Sequence, residues 1–110
     1  MKYLRKYNES SDDYLVKMVE DILLEIQDDY FTTKVNYSEN SAVKTIHVII
    51  SKTKSDGDYD QFWSADLNPI IDRIRDCLSE YGYKGGSLSG NHKVSSVSIK
   101  FEKLVRRYNI

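Results

Sequence analysis

A chain of 110 residues is the usual size of one domain, and folding at this size buries roughly two thirds of the surface that the unfolded chain exposes. Apolar residues make up 40% and charged residues 30%, with five glycines and one proline, which excludes a disordered or collagen-like chain. The 16 basic and 17 acidic side chains nearly cancel, so net charge gives no general reason to bind nucleic acid or an anionic membrane.

The elements follow in chain order. After a basic opening, residues 1–9, a helix is expected over about 11–29. Ser10 or Ser11 would cap it, Asp12 and Asp13 would sit in its first turn, and Leu15, Met18, Val19, Ile22 and Ile26 would form its apolar stripe. "YFTTKVNY" (30–37) and "VKTIHVIIS" (43–51) are rich in β-branched and aromatic residues and flank the turn signal "SENS", so they predict a hairpin with Ile46, Val48 and Ile50 on one face. The polar stretch 52–61 reads as the longest loop. A second helix follows, capped by Ser64 or by Asn68 before Pro69, with Gly82 placed to end it. The Gly-rich 83–90 suits a weak edge strand, and "KVSSVSIKFEKL" (93–104) a strong one with Val97, Ile99 and Phe101 on one face.

One pattern occurs twice. "LVKMVEDILLEI" (15–26) and "LNPIIDRIRDCL" (67–78) carry apolar residues at the same five positions, 52 residues apart. A shift of 51 superposes "VKTIHVIISK" on "VSSVSIKFEK". The change from 52 to 51 predicts a single-residue length difference between helix and hairpin. Two αββ units, over about 11–53 and 63–104, are thus expected in a single domain spanning 1–110, the segments 1–9 and 105–110 being basic tails. Neither unit can bury its apolar face alone, so the expected fold is α+β, an αββαββ two-layer sandwich with two helices on one face of a four-stranded antiparallel sheet and a pseudo-twofold repeat. The strands 43–51 and 94–102 should be central, with 31–37 and 83–90 at the edges. This order resembles a circular permutation of the ferredoxin-like βαββαβ arrangement, a resemblance of architecture that implies no site.

Charge distribution is more informative than its sum. Residues 9–30 hold Glu9, Asp12, Asp13, Glu20, Asp21, Glu25, Asp28 and Asp29 against Lys17 alone, whereas both chain ends are basic. The acidic bias belongs to the first helix only. Asp12, Glu20, Asp21, Glu25 and Asp28 are therefore the candidate partner-binding residues, joined by Tyr59, Phe62 and Trp63 of "YDQFW", since aromatic side chains are enriched at interface hot spots. The competing role for Phe62 and Trp63 is to staple the start of the second helix. A nucleic-acid interface is the alternative. It would use Lys34, His47 and Lys100 on the open sheet face with Lys103, Arg106 and Arg107 near the basic end, but the face lacks the stacking aromatics such sheets use, His47 being its one ring.

Other constellations carry less. "DGDYD" spaces Asp56, Asp58 and Asp60 as a calcium loop would, yet Gln61 stands where the turn needs glycine and Leu67 where a bidentate Glu is required. "YKGGSLSGNHK" (83–93) matches no phosphate-binding fingerprint, so its glycines read as a bulged edge and a tight turn. Cys77 borders an apolar stripe and reads as a small filler rather than a nucleophile; as the sole cysteine it allows no intrachain disulfide and fits a reducing compartment. No catalytic, metal or cofactor site is expected, and no apolar run is long enough to span a bilayer.

The opening segment "MKYLRKYNES" resembles that of many short open reading frames of tailed bacteriophages. The resemblance implies a phage-encoded accessory protein and transfers no functional residue. The expected function is a non-enzymatic protein-interaction domain in the host cytoplasm, acting on a second copy of itself or by binding and inhibiting a host protein.

Overall fold

The computed structural model describes residues 7–27, 31–54, 60–88 and 90–105, with side chains in the first helix described from residue 13 onward. Helix α1 (Tyr7–Gln27) leads into the hairpin β1 (Phe31–Glu39) and β2 (Val43–Lys52). A two-residue strand, β3 (Phe62–Trp63), and a 3-10 turn (Ser64–Leu67) precede α2 (Asn68–Ser79); β4 (Lys84–Gly85), β5 (Lys93–Val94) and β6 (Ser96–Leu104) complete the described chain. The main sheet has the order β1-β2-β6-β4, antiparallel throughout, and β3 pairs with β5 in a small second sheet. This is the α+β arrangement expected, with the expected strands at the centre and at the edges.

Alternation decides the two faces. Ile46, Val48 and Ile50 of β2 and Val97, Ile99 and Phe101 of β6 enter one core with Leu15, Val19 and Leu23 of α1 and Ile70, Ile71, Ile74 and Leu78 of α2. Both helices therefore cover the same sheet face, and the other face is left open. The strand register also shows where the repeat changes phase. Val48 pairs with Ile99, its equivalent at a shift of 51, so the pseudo-twofold passes through that pair. Thr32 pairs with Ser51 and Lys84 with Glu102, which relates β1 to β4 by 52, the shift of the helices. The single-residue difference consequently lies between the two strands of each unit, not between helix and hairpin as expected.

Several boundaries differ from expectation for physical reasons. The described part of α1 reaches back to Tyr7, four residues before 11, and Asn8 to Ser11 include no proline or glycine to stop a helix there. Leu23, absent from the expected stripe, is fully buried, while Met18, Ile22 and Ile26 are only partly so. Neither Ser64 nor Asn68 caps α2 through its side chain. Instead Asn91 Oδ1 accepts from the Ala65 N–H at 3.0 Å, and the buried Ser64 hydroxyl accepts from the His92 N–H at 2.9 Å. These bonds come from a loop 26 to 28 residues away in sequence, beyond the reach of a local capping rule. The expected strand 93–104 is split at Ser95, whose carbonyl accepts from the Lys52 N–H at 3.3 Å, and the expected edge strand 83–90 contracts to Lys84–Gly85.

The hairpin turn has a local cause. Asn40 Oδ1 accepts from the N–H groups of Ala42 and Val43 at 2.8 and 2.9 Å, an Asx turn closing β1 onto β2. Asn40→Ala is expected to cost about 1 kcal/mol, read as a lower urea midpoint with unchanged slope; an unchanged midpoint would show that the turn closes without this side chain.

Candidate functional site

Helix α1 lies toward the β1 edge of the sheet. Its exposed side chains Glu20, Asp21, Leu24 and Gln27 form one wall of a groove of 510 Å³, and Thr33, Lys34, Val35 and Asn36 form the other. Thr33 and Val35 belong to the helix-covered face of β1, and Lys34 and Asn36 to the open face. Four consecutive residues whose side chains alternate between faces line one groove only along a strand's outer edge. The groove is thus a sheet edge walled by a helix.

The hydrogen-bond parity of the sheet shows what that edge offers. Asn40 N–H bonds Val43 O, and Lys52 N–H bonds Ser95 O, so the odd-numbered residues of β2 bond β1 and the even-numbered ones bond β6. In β1 the even residues therefore point their backbone groups at β2, and Thr33 and Val35 point theirs outward. Among the described residues no backbone group pairs with them. Leu24, 57% exposed, stands above this edge between the carboxylates and Gln27, whose amide donates to Thr33 Oγ1 at 2.9 Å.

The expected acidic residues separate into three groups. Glu20 and Asp21 line the groove and make no ion pair among the described residues. Glu25 is turned toward α2, where its carboxylate accepts from Arg73 Nη1 at 2.5 Å. That hydrogen bond, reinforced by the charge of Glu25, raises the Arg73 pKa above its already basic ordinary value, so the guanidinium stays charged at any working pH and no pH dependence follows. The side chain of Asp12, and Asp28 altogether, lie outside the described residues, as does Tyr59. Of the aromatic pair, Phe62 is in the core at 5% exposure, edge-on to Phe31 with centroids 5.1 Å apart. Trp63 is 48% exposed, with Lys93 Nζ 5.8 Å from its ring centre, and it alone of the two has surface to present.

The four described members of the alternative set do not share one face. Lys34, His47 and Lys100 share the open face, where Asn36, His47 and Lys100 form one cross-strand row. Lys103 lies on the helix side, its ammonium 6.0 Å from the Tyr83 ring centre, and Arg106 and Arg107 lie outside the described residues. The His47 ring hydrogen-bonds the Ser98 hydroxyl across the strands. A serine beside a histidine would suggest acyl transfer, but no carboxylate bonds the ring among the described residues, and the pair stands on the open sheet face. In the Gly-rich segment, Gly86 packs against the Phe101 ring and its carbonyl accepts from Arg75 Nη2 at 2.9 Å, so it serves packing rather than anion binding. Of the calcium-like acids only Asp60 is described; Asp56 and Asp58 fall within 55–59, outside the described residues. Among the described residues there is no cluster of metal-ligating side chains and no helix long and apolar enough to cross a membrane.

The edge position of 31–37 was expected; Leu24 and the outward backbone groups of Thr33 and Val35 are the parts of this site that were not. The signal for Leu24 was the doubled leucine in "DILLEI", one leucine more than a single stripe needs. The edge groups of Thr33 and Val35 had no sequence signal, because backbone direction depends on register. No protein-family model, no curated protein and no solved structure matches this chain.

Proposed function

We propose that this chain is a small, non-enzymatic protein-binding domain that captures a partner in the groove between α1 and β1. The observation that supports this reading is the juxtaposition of two carboxylates, Glu20 and Asp21, that make no ion pair among the described residues, with an exposed leucine and a strand edge that no described strand covers. Partner surfaces combine such a charged rim with an apolar contact and unsatisfied polar groups. The opening segment's likeness to phage reading frames supports the further proposal that the partner is a host protein in the cytoplasm of an infected cell. The groove favours a partner over a second copy. A twofold pairing of β1 with itself would set Glu20 and Asp21 of one copy against the same pair of the other.

Affinity capture from the native cell tests the reading. Proteins retained by the wild-type chain are expected to be lost from E20K/D21K while both chains fold equally, and retention unchanged by the double substitution would overturn it. Retention of nucleic acid alone, abolished by moderate salt, would favour the open-face alternative instead.

A further inference from the structure

Resting on that reading of the groove, we infer that the partner enters it as an added β-strand, an extended segment with basic side chains at alternate positions. Three observations converge on this mode. The outward amide and carbonyl groups of Thr33 and Val35 are directed into the groove, and an extended backbone can satisfy them in series. The nine residues of β1 form a long edge without the proline or bulge that would blunt it. The wall facing that edge is acidic, with Glu20 and Asp21 above β1 and Leu24 beside them.

The two faces of the sheet then dictate the pattern of the incoming segment. Side chains of an added strand alternate between the helix side and the open side. On the helix side they meet Leu24, Glu20 and Asp21, a combination suited to arginine or lysine, whose aliphatic stem covers the leucine while its charge reaches the carboxylates. On the open side they meet Lys34 and Asn36, which suit threonine or a carboxylate and disfavour another cation. The recognised feature is therefore alternation of charge, not its total.

The test uses the full chain and a capped heptapeptide, Thr-Arg-Thr-Arg-Glu-Arg-Thr, against a peptide of identical composition with its arginines contiguous. Amide-resolved NMR titration is expected to show the alternating peptide binding with a dissociation constant on the order of 0.1–1 mM, the Thr33 and Val35 amides shifting and gaining exchange protection. The contiguous peptide should bind at least tenfold more weakly, and E20K/D21K should weaken the alternating peptide by a similar factor.

Val35→Pro removes an outward N–H without touching the β1–β2 ladder and is expected to abolish binding. Should that variant fail to fold, N-methylation of the peptide asks the same question. Methyl groups on the arginine amides block an antiparallel added strand, methyl groups on the intervening amides block a parallel one, and a peptide that tolerates both is not a strand. Equal binding of the two heptapeptides, or shifts confined to α1, would overturn strand addition. If no heptapeptide binds while cell capture still depends on Glu20 and Asp21, strand addition is wrong and the groove remains the contact site; if neither depends on them, both readings fall. Light-scattering evidence of a dimer lost in Val35→Pro would assign the edge to a second copy and overturn the inference.

Discussion

Gly86→Ala is expected to destabilise the domain by about 3 kcal/mol, combining a left-handed backbone, which costs a side chain roughly 1–2 kcal/mol, with overpacking at roughly 1–3 kcal/mol. At this size the loss corresponds to a fall in melting temperature of roughly 10–20 °C. The residue has φ +78°, and a Cβ built there would stand 2.0 Å from Cε2 of Phe101, a ring that is itself buried between the layers. The ring has no room to retreat, since Phe101 pairs with Ile46 in the centre of the sheet and with Gly85 at its edge. Gly90→Ala supplies the control. Its φ of +76° is nearly the same, but its nearest neighbour is His92 Nε2 at 3.1 Å, the end of an exposed side chain that can turn away, so about 1 kcal/mol is expected. Thermal or urea unfolding of the two variants separates conformational cost from steric cost, and equal losses would show that the Phe101 contact contributes nothing.

The second large effect comes from adjacent leucines with opposite environments. Leu23→Ala is expected to cost about 3 kcal/mol, because its side chain is fully buried among both helices and the sheet and the vacated space cannot collapse around a rigid strand pair. Leu24→Ala should change stability by less than about 0.5 kcal/mol, since that side chain is largely in solvent. The same exposed leucine forms part of the groove wall, so Leu24→Ala is expected to weaken capture of a partner while leaving the unfolding midpoint in place. Urea midpoints and capture measured on the same two variants would therefore show a crossed pattern. Equal destabilisation by both would mean that α1 is rotated from the orientation described.

These leucines also show where the apolar pattern stops being informative. In "LVKMVEDILLEI" the spacing establishes a helix with one buried side, and the repeat 52 residues later establishes a partner helix of the same kind. The centre of the buried side is a tertiary matter. Leu15, Val19 and Leu23 line up in α1, whereas in α2 the position equivalent to Leu23 is Arg75, which reaches out to Gly86 and to Asp72. The two copies therefore sit differently on the sheet, and the exposed side of α1 walls the groove along β1.

Composition, period-2 and period-3.6 spacing and the doubled pattern were sufficient for the α+β class, the two-layer arrangement and the choice of central and edge strands, because each depends on which residues avoid water. Hydrophobic burial is non-directional and acts residue by residue, so it can be read along the chain. The acidic bias of α1 was legible in the same way. What the sequence could not determine is which acids face a groove and which meet a counter-ion: Glu25 and Glu20 are alike in the chain, yet one bonds Arg73, 48 residues away, and the other does not. The outward backbone groups of β1 are likewise a product of register, which a shift of one residue would reverse. Glycine's role at position 86 belongs with them, since only the packed Phe101 ring turns a flexible residue into a required one.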